Sequence, residues 1–284
     1  MGPNARNEPD RPPHGHLHPL LIRVLSAGVL VLVVAGLLAL GKGGLFGLVV
    51  ILAALGLWEF QGLSGLMGFK APIWLLYPLG FFFVFSGTVL SAVPVGLVLA
   101  IALIVGLSAF VFLPGRRQGL GRWAMALGGA IYIGMPLNYY LLLYTGSSRG
   151  LAWLVAIVAA VVVGDSAALL VGSRLGRHLL FPAISPKKTW EGAVAGLMCC
   201  TGLFVAAAPL FLGLAWWHGA VLGVLVGVSG VVGDLVESQM KRLAGVKDSS
   251  TLIPGHGGLL DRLDSLLFPP IVVYLYVELL RLLS

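Results

Sequence analysis

Charge is scarce in this chain, and the scarcity excludes most of what 284 residues could build. Lys, Arg, Asp and Glu make up 10% of it and hydrophobic residues 58%, whereas a soluble domain averages about 25% charged residues. A soluble globular enzyme is excluded on that ground. Cysteine is scarcer still: the two present, Cys199 and Cys200, are adjacent within an apolar run. That arrangement offers neither a disulfide framework nor a zinc spacing, so both read as packing residues. A Walker A loop, a GxSxG elbow and an HExxH helix are also missing. The formal net charge of +7 does not argue for nucleic acid, because the cations are spread over the loops between apolar runs, where membrane topology accounts for them.

What the chain has in abundance is long apolar runs. About 20 such residues cross a bilayer as a helix, and the runs lack the alternation of a barrel strand. The expected fold is an all-α, polytopic transmembrane bundle of about nine spans, near 20–40, 44–60, 72–90, 92–113, 122–145, 151–173, 191–213, 216–240 and 265–283. The second is the shortest and ends at Trp58-Glu59. Pro94 and Pro136 fall inside spans and are expected to kink them. Residues 1–19 are polar, rich in Pro and His, and read as a disordered tail in which His14, His16 and His18 are solvated.

With the N-terminus in the cytoplasm, only Lys42, Arg149 and Arg281 fall on the far side. The other fifteen of the 18 Lys and Arg residues then lie inside, as the positive-inside rule requires. This predicts an inner-membrane, multi-pass protein with its charged face toward the cytoplasm. Of 11 acidic residues, seven lie between Asp165 and Asp264. Residues 20–150 therefore read as a transmembrane scaffold and 151–284 as the catalytic region.

Four constellations carry chemistry. Asp165, in the sixth span, is a lone carboxylate where one costs about 3 kcal/mol on insertion scales. Ser185-Pro186-Lys187-Lys188-Thr189 precedes the seventh span; Thr189 suits an N-cap, and a helix N-terminus beside two lysines attracts phosphate. Asp234, Glu237 and Lys241 are spaced i, i+3, i+7 and share one helical face, which belongs in a wet pocket rather than in lipid. Gly219, Gly223, Gly227 and Gly230 precede them and suit close helix packing. Last, Lys247, Asp248, Gly255-His256-Gly257-Gly258, Asp261, Arg262 and Asp264 crowd one short segment. Glycines let backbone approach a ligand, and carboxylates beside cations suit Mg²⁺ bound to a polyphosphate.

At these residues the sequence resembles the phosphatidate cytidylyltransferase, or CDP-diacylglycerol synthase, family. SQMKRLAGVKDSSTLIPGHGGLLDRLD, residues 238–264, is similar to the family signature S-x-φ-K-R-x4-K-D-x-small-x2-φ-P-x-H-G-G-φ-φ-D-R-φ-D at every fixed position. Leu259 is a mild variant of its Ile, Val or Phe. SPKKTWEG at 185–192 resembles a second block and VGDSAALLVGSRLGR at 163–177 a third, with Leu169 where many members carry Tyr. RVLSAG at 23–28 and WEF at 58–60 fit loosely.

The resemblance implies a Mg²⁺-dependent membrane nucleotidyltransferase, associated with a second, potassium-like cation, that joins CTP to phosphatidic acid. It implies catalytic roles for Asp234, Asp261, Lys241 and Arg242, and metal ligation by Asp234 and Asp261 with Asp165, Asp264 and Glu237 as further donors. Ser185, Lys187, Lys188, Lys247, Asp248, His256, Gly257, Gly258 and Arg262 would bind substrate. It also implies a homodimer, for which the glycine-lined helices are a second ground. The rival reading is an ion-coupled transporter, disfavoured because the charges gather at one membrane face and no pair of broken helices repeats.

Overall fold

A computed structural model of the chain describes residues 19–112 and 116–283. The expected disordered tail, apart from Pro19, lies outside the described residues. The described residues form α1 (Pro19–Ala39), α2 (Gly41–Leu66), α3 (Ile73–Phe85), α4 (Val95–Phe112), α5 (Arg116–Thr145), α6 (Gly150–Leu175), α7 (Trp190–Ala207), α8 (Trp216–Leu243), α9 (Leu260–Leu267) and α10 (Pro269–Leu283). Between α6 and α7 stands a small antiparallel hairpin, β1 (Leu179–Phe181) and β2 (Ser185–Thr189), with Leu179 opposite Thr189. It departs from the all-α expectation. Pro186 disfavours helix at Ser185, and the segment is too short and polar for a span.

Six helical stretches are long and apolar enough to cross a membrane: Gly41–Leu66, Gln118–Thr145, Gly150–Leu175, Trp190–Leu212, Trp216–Leu243 and Leu260–Leu283. Gly28–Ala39, Ile73–Phe85 and Val95–Ser108 are shorter apolar helices. Two local expectations change. Pro94 does not kink a span; it stands just before α4 and its carbonyl accepts from Leu97 N and Val98 N, where a missing N–H costs nothing. Pro136 does lie inside α5. The second run does not end at Glu59 but continues about two turns further, to Leu66, because its polar residues find partners in the fold. Gln61 Nε2 donates to the Ala71 carbonyl at 3.0 Å, and Glu59 is taken up by a loop described below.

Helices α2, α3 and α5 form one packed block around Leu57, Phe83, Ile133 and Leu137, all 2% exposed or less. Gly80 and Gly134 let α3 and α5 touch, since a Cβ on Gly134 would come within 2.6 Å of the Gly80 carbonyl. Helices α6, α7 and α8 form a second block through the glycine row foreseen on α8. A Cβ on Gly219 would fall 2.3 Å from the Phe204 carbonyl, and one on Gly223 2.4 Å from Thr201 Cα. Gly230 and Gly233 meet the carbonyls of Ser265 and Asp264. The row is thus filled by α7 and α9 of the same chain, and it offers no surface to a second copy.

Helix α9 joins the two blocks. It rests on α8 through those glycines, reaches α2 where Leu260 approaches Gly56, and takes a hydrogen bond from Tyr140 Oη of α5 to the Leu266 carbonyl at 2.9 Å. Pro269 and Pro270 open α10 just after it, since a Pro is accommodated in a first helical turn but not in an interior.

Candidate functional site

The i, i+3, i+7 face of α8 behaves as its spacing requires. Glu237 is fully buried, Lys241 lies one turn toward the C-terminus of α8, and Asp234 stands one turn toward its N-terminus. The Lys241 ammonium touches Glu237 Oε2 and donates to Asp261 Oδ1 at 2.6 Å. Its side chain is 13% exposed and that of Asp261 is 5% exposed. Two carboxylates around one buried ammonium keep the charge compensated, without which burial would be prohibitive.

Asp261 is also the anchor of the loop before it. Its Oδ2 accepts from Ser249 N at 2.8 Å, Gly258 N at 2.8 Å and Ser249 Oγ at 2.9 Å. Within that loop Ile253 N donates to the Gly257 carbonyl and His256 N to the Ile253 carbonyl. The turn depends on Gly255 and Gly257 at φ +76° and +82°, a left-handed conformation that glycine adopts without penalty. Arg262 Nη2 closes it from α9 by donating to the His256 carbonyl at 2.8 Å, and His256 Nδ1 lies 2.9 Å from Ser26 Oγ of α1.

The loop walls a cavity of about 580 Å³ lined by Lys247, Asp248, Ser250, Thr251, His256, Gly257 and Arg262 among others. Gly257 separates it from the buried pair, for a Cβ there would lie 2.9 Å from Asp261 Oδ2 and 3.4 Å from Asp248 Cβ.

The hairpin is latched to α8 from the other side. Lys188 Nζ pairs with Asp234 Oδ2 at 2.5 Å, Ser238 Oγ donates to Asp234 Oδ1 at 3.1 Å, and Arg242 Nε donates to the Ile184 carbonyl at 3.2 Å. Arg242 is therefore on the hairpin side, away from the Lys241–Asp261 pair. Lys187 is exposed while Lys188 is half-buried, as alternation along a strand requires. Ser185 opens β2, and Thr189 is the expected cap, its Oγ1 accepting from Gly192 N at 3.2 Å.

Asp165 and Asp264 share a hydroxyl: Ser265 Oγ lies 2.9 Å from Asp165 Oδ2 and 3.2 Å from Asp264 Oδ1. Among the described residues, Asp165 Oδ1 and Asp264 Oδ2 accept no hydrogen bond. Nor do three His, Cys, Asp or Glu side chains converge there into a closed metal cage. Mg²⁺ does not need one, since it keeps several waters and is usually held by one or two carboxylates together with substrate phosphates. The open oxygens of Asp165 and Asp264, beside Asp234, fit that demand. Glu237 lies behind Lys241, away from the open mouth.

Sequence reasoning missed Glu59, Ser249 and Ser265. Glu59 is 2% exposed. Its Oε1 accepts from Ser250 Oγ at 2.5 Å and Leu259 N at 2.7 Å, and its Oε2 from Leu260 N at 2.6 Å, with Ser249 Oγ, whose one proton it shares with Asp261, at 3.2 Å. The signal was available: a lone carboxylate in an apolar run, the reasoning already applied to Asp165.

The profile of the cytidylyltransferase family matches residues 21–280. A protein named phosphatidate cytidylyltransferase from Staphylococcus haemolyticus is 31% identical over 258 residues, covering 87% of this chain and 95% of that one. One of the same name from Mycobacterium bovis is 42% identical over 132 residues, 46% of this chain and 43% of the relative. The protein named phosphatidate cytidylyltransferase 5, chloroplastic, from Arabidopsis thaliana is 39% identical over 171 residues, 58% of this chain and 38% of the relative. The match thus spans less than half the length of the mycobacterial and plant relatives and nearly all of the staphylococcal one.

Proposed function

The chain belongs to the cytidylyltransferase family, and from that premise we propose that it condenses CTP with phosphatidic acid, releasing pyrophosphate and leaving CDP-diacylglycerol for phospholipid biosynthesis. The observation that carries this reading is a polar cavity of about 580 Å³, bearing Lys247, His256 and Arg262, set against buried acid–base pairs in an otherwise apolar bundle. A lipid can reach such a place laterally while a nucleotide reaches it from water.

The phosphate of phosphatidic acid is already an anionic nucleophile and needs no strong base. Its oxygen forms a bond to the α-phosphorus of CTP as the bond to the β-phosphate oxygen breaks. Two polyanions repel, so the protein's task is alignment and neutralisation. Lys247 and Arg262 at the mouth, with Lys187, Lys188 and Arg242 on the hairpin side, supply positive charge for the phosphates. Lys241, held between Glu237 and Asp261, keeps a fixed charge close behind them. Asp165 and Asp264, each with an open oxygen, would hold Mg²⁺, with Asp234 joining them on release from Lys188 and Asp261 adjoining through Lys241, and the same carboxylates would be available to a second, potassium-like cation. There Mg²⁺ would supply Lewis-acid neutralisation of the reacting phosphates and of the pyrophosphate leaving group.

The test is purified protein in detergent with phosphatidic acid, labelled CTP and Mg²⁺. Label is expected to enter the chloroform-soluble fraction, to stop entering with EDTA and to resume when Mg²⁺ is restored. Folded protein that transfers none, across several lipids and cations, overturns the proposal and reopens the ion-coupled carrier, which nothing in the structure favours.

The same proposal places the protein in the inner membrane with the N-terminus and the mouth in the cytoplasm. Three shorter apolar helices added to the six long ones would give the nine spans that this orientation needs, and the charge asymmetry supports it. A cysteine introduced at Lys187 is expected to resist an impermeant thiol reagent applied to intact cells and to react once the membrane is opened. Reaction from outside reverses the orientation. A homodimer rests on the family resemblance alone, since the glycine row is occupied within the chain.

A further inference from the structure

We infer that Glu59, in the half of the chain that carries little charge, is a positioning residue for this transfer, acting by holding the loop that frames the polar mouth. The inference rests on the reading of function above and deepens it. All four donors to Glu59 come from residues 249–260, and no other segment supplies one among the described residues. Ser249 and Ser250 lie at the start of the loop, and Leu259 and Leu260 at its end. One carboxylate therefore ties both ends of the cavity wall to α2. The two backbone donors are the N-cap residue and the first residue of α9, where N–H groups have no partner within the helix, and a negative charge there suits the helix dipole.

The link to the reacting region runs through Ser249. Its hydroxyl lies 3.2 Å from Glu59 Oε2 and 2.9 Å from Asp261 Oδ2, and its amide donates to the same Asp261 oxygen. Asp261 in turn holds Lys241. Displacing Glu59 releases Ser249, and with it the seat of Asp261 and the course of residues 247–258 around the cavity. Glu59 itself is enclosed beneath the loop and does not line the mouth, so its influence is through placement.

Glu59→Gln tests this with little change of volume. Glutamine accepts at one oxygen only, and its amide group would face two of the four donors. We expect turnover of labelled CTP into lipid to fall about 100-fold, the loss that a displacement near 1 Å produces. Hydrogen exchange should rise in residues 249–260 while the α6–α7 interface stays protected. Adding Ser249→Ala to Glu59→Gln should cost little more, because the two act through one contact chain. Ser250→Ala, which removes a single donor, should show the same pattern more weakly, and it serves if Glu59→Gln fails to fold. An active wild type with a fully active Glu59→Gln overturns the inference alone. So does a loss of turnover with loop exchange unchanged, or independent, additive losses in the double variant. Wild-type protein that transfers no label overturns the reading of function beneath it, and this role with it.

Discussion

Asp261→Asn is expected to leave the protein folded and to lower cytidylyl transfer by about 100-fold or more. Asparagine keeps the size of the side chain, and its single carbonyl oxygen can still accept from Ser249 N or Gly258 N, now given to Asp261 Oδ2 at 2.8 Å each. Its amide group then faces the Lys241 ammonium, donor against donor, where Asp261 Oδ1 now accepts at 2.6 Å. Breaking a buried pair outright costs about 3–5 kcal/mol. Here Lys241 retains Glu237, which is fully buried beside it, so the ammonium is not stranded and the bundle survives. What is lost is the place of Lys241 and the tension of the loop on the cavity. The check is label transfer alongside thermal unfolding in the same detergent. A folded variant with near-normal transfer removes Asp261 from the site, and a variant that unfolds makes its role one of stability.

The parts of this site that were legible in the sequence are those whose logic is local. The spacing of Asp234, Glu237 and Lys241 fixes a common helical face without reference to the rest of the chain. Thr189 precedes an apolar run and caps it, with Gly192 N as donor. Gly255 and Gly257 announce a turn, and it forms. The pairings across the fold were not legible. Lys188 meets Asp234 because the hairpin folds back over the end of α8, and periodicity says nothing about which two segments touch. The glycine row was read correctly as a packing face, but only tertiary structure shows that α7 and α9 fill it.

Glu59 is the most instructive omission. A carboxylate at the end of a short apolar run looks like a span terminus reaching for water. The structure continues α2 through it, because four donors from far along the chain replace that water. A division into charged and uncharged halves therefore misplaces the boundary of the site. The apolar half contributes the residue that ties down the most charged segment of the other half, and Tyr140 adds a second tie to α9.

Gly258→Ala is expected to be as damaging as the loss of a charged residue, although it adds one methyl group. Gly258 is not among the glycines at positive φ, so the backbone itself would tolerate alanine. The obstacle is space. A Cβ would fall 1.9 Å from Ser249 Oγ and 2.6 Å from Glu59 Oε1, and one of those two groups must move. Either movement breaks the chain from Glu59 through Ser249 to Asp261. Overpacking of this kind costs about 1–3 kcal/mol, which the helical bundle can absorb as a lowered melting temperature. Transfer should suffer more, by about 100-fold, because the displaced atoms seat Asp261. Gly202→Ala is the control: nothing lies within 4 Å of its added methyl on α7, so it should be neutral or slightly stabilising, helix propensity favouring Ala by up to about 1 kcal/mol. If Gly258→Ala matches Gly202→Ala in both stability and transfer, the loop has slack that the geometry denies, and the tie between α2 and the mouth does not govern the reaction. If Gly258→Ala loses transfer far out of proportion to its loss of stability, the seat of Asp261 is what the methyl group disturbed.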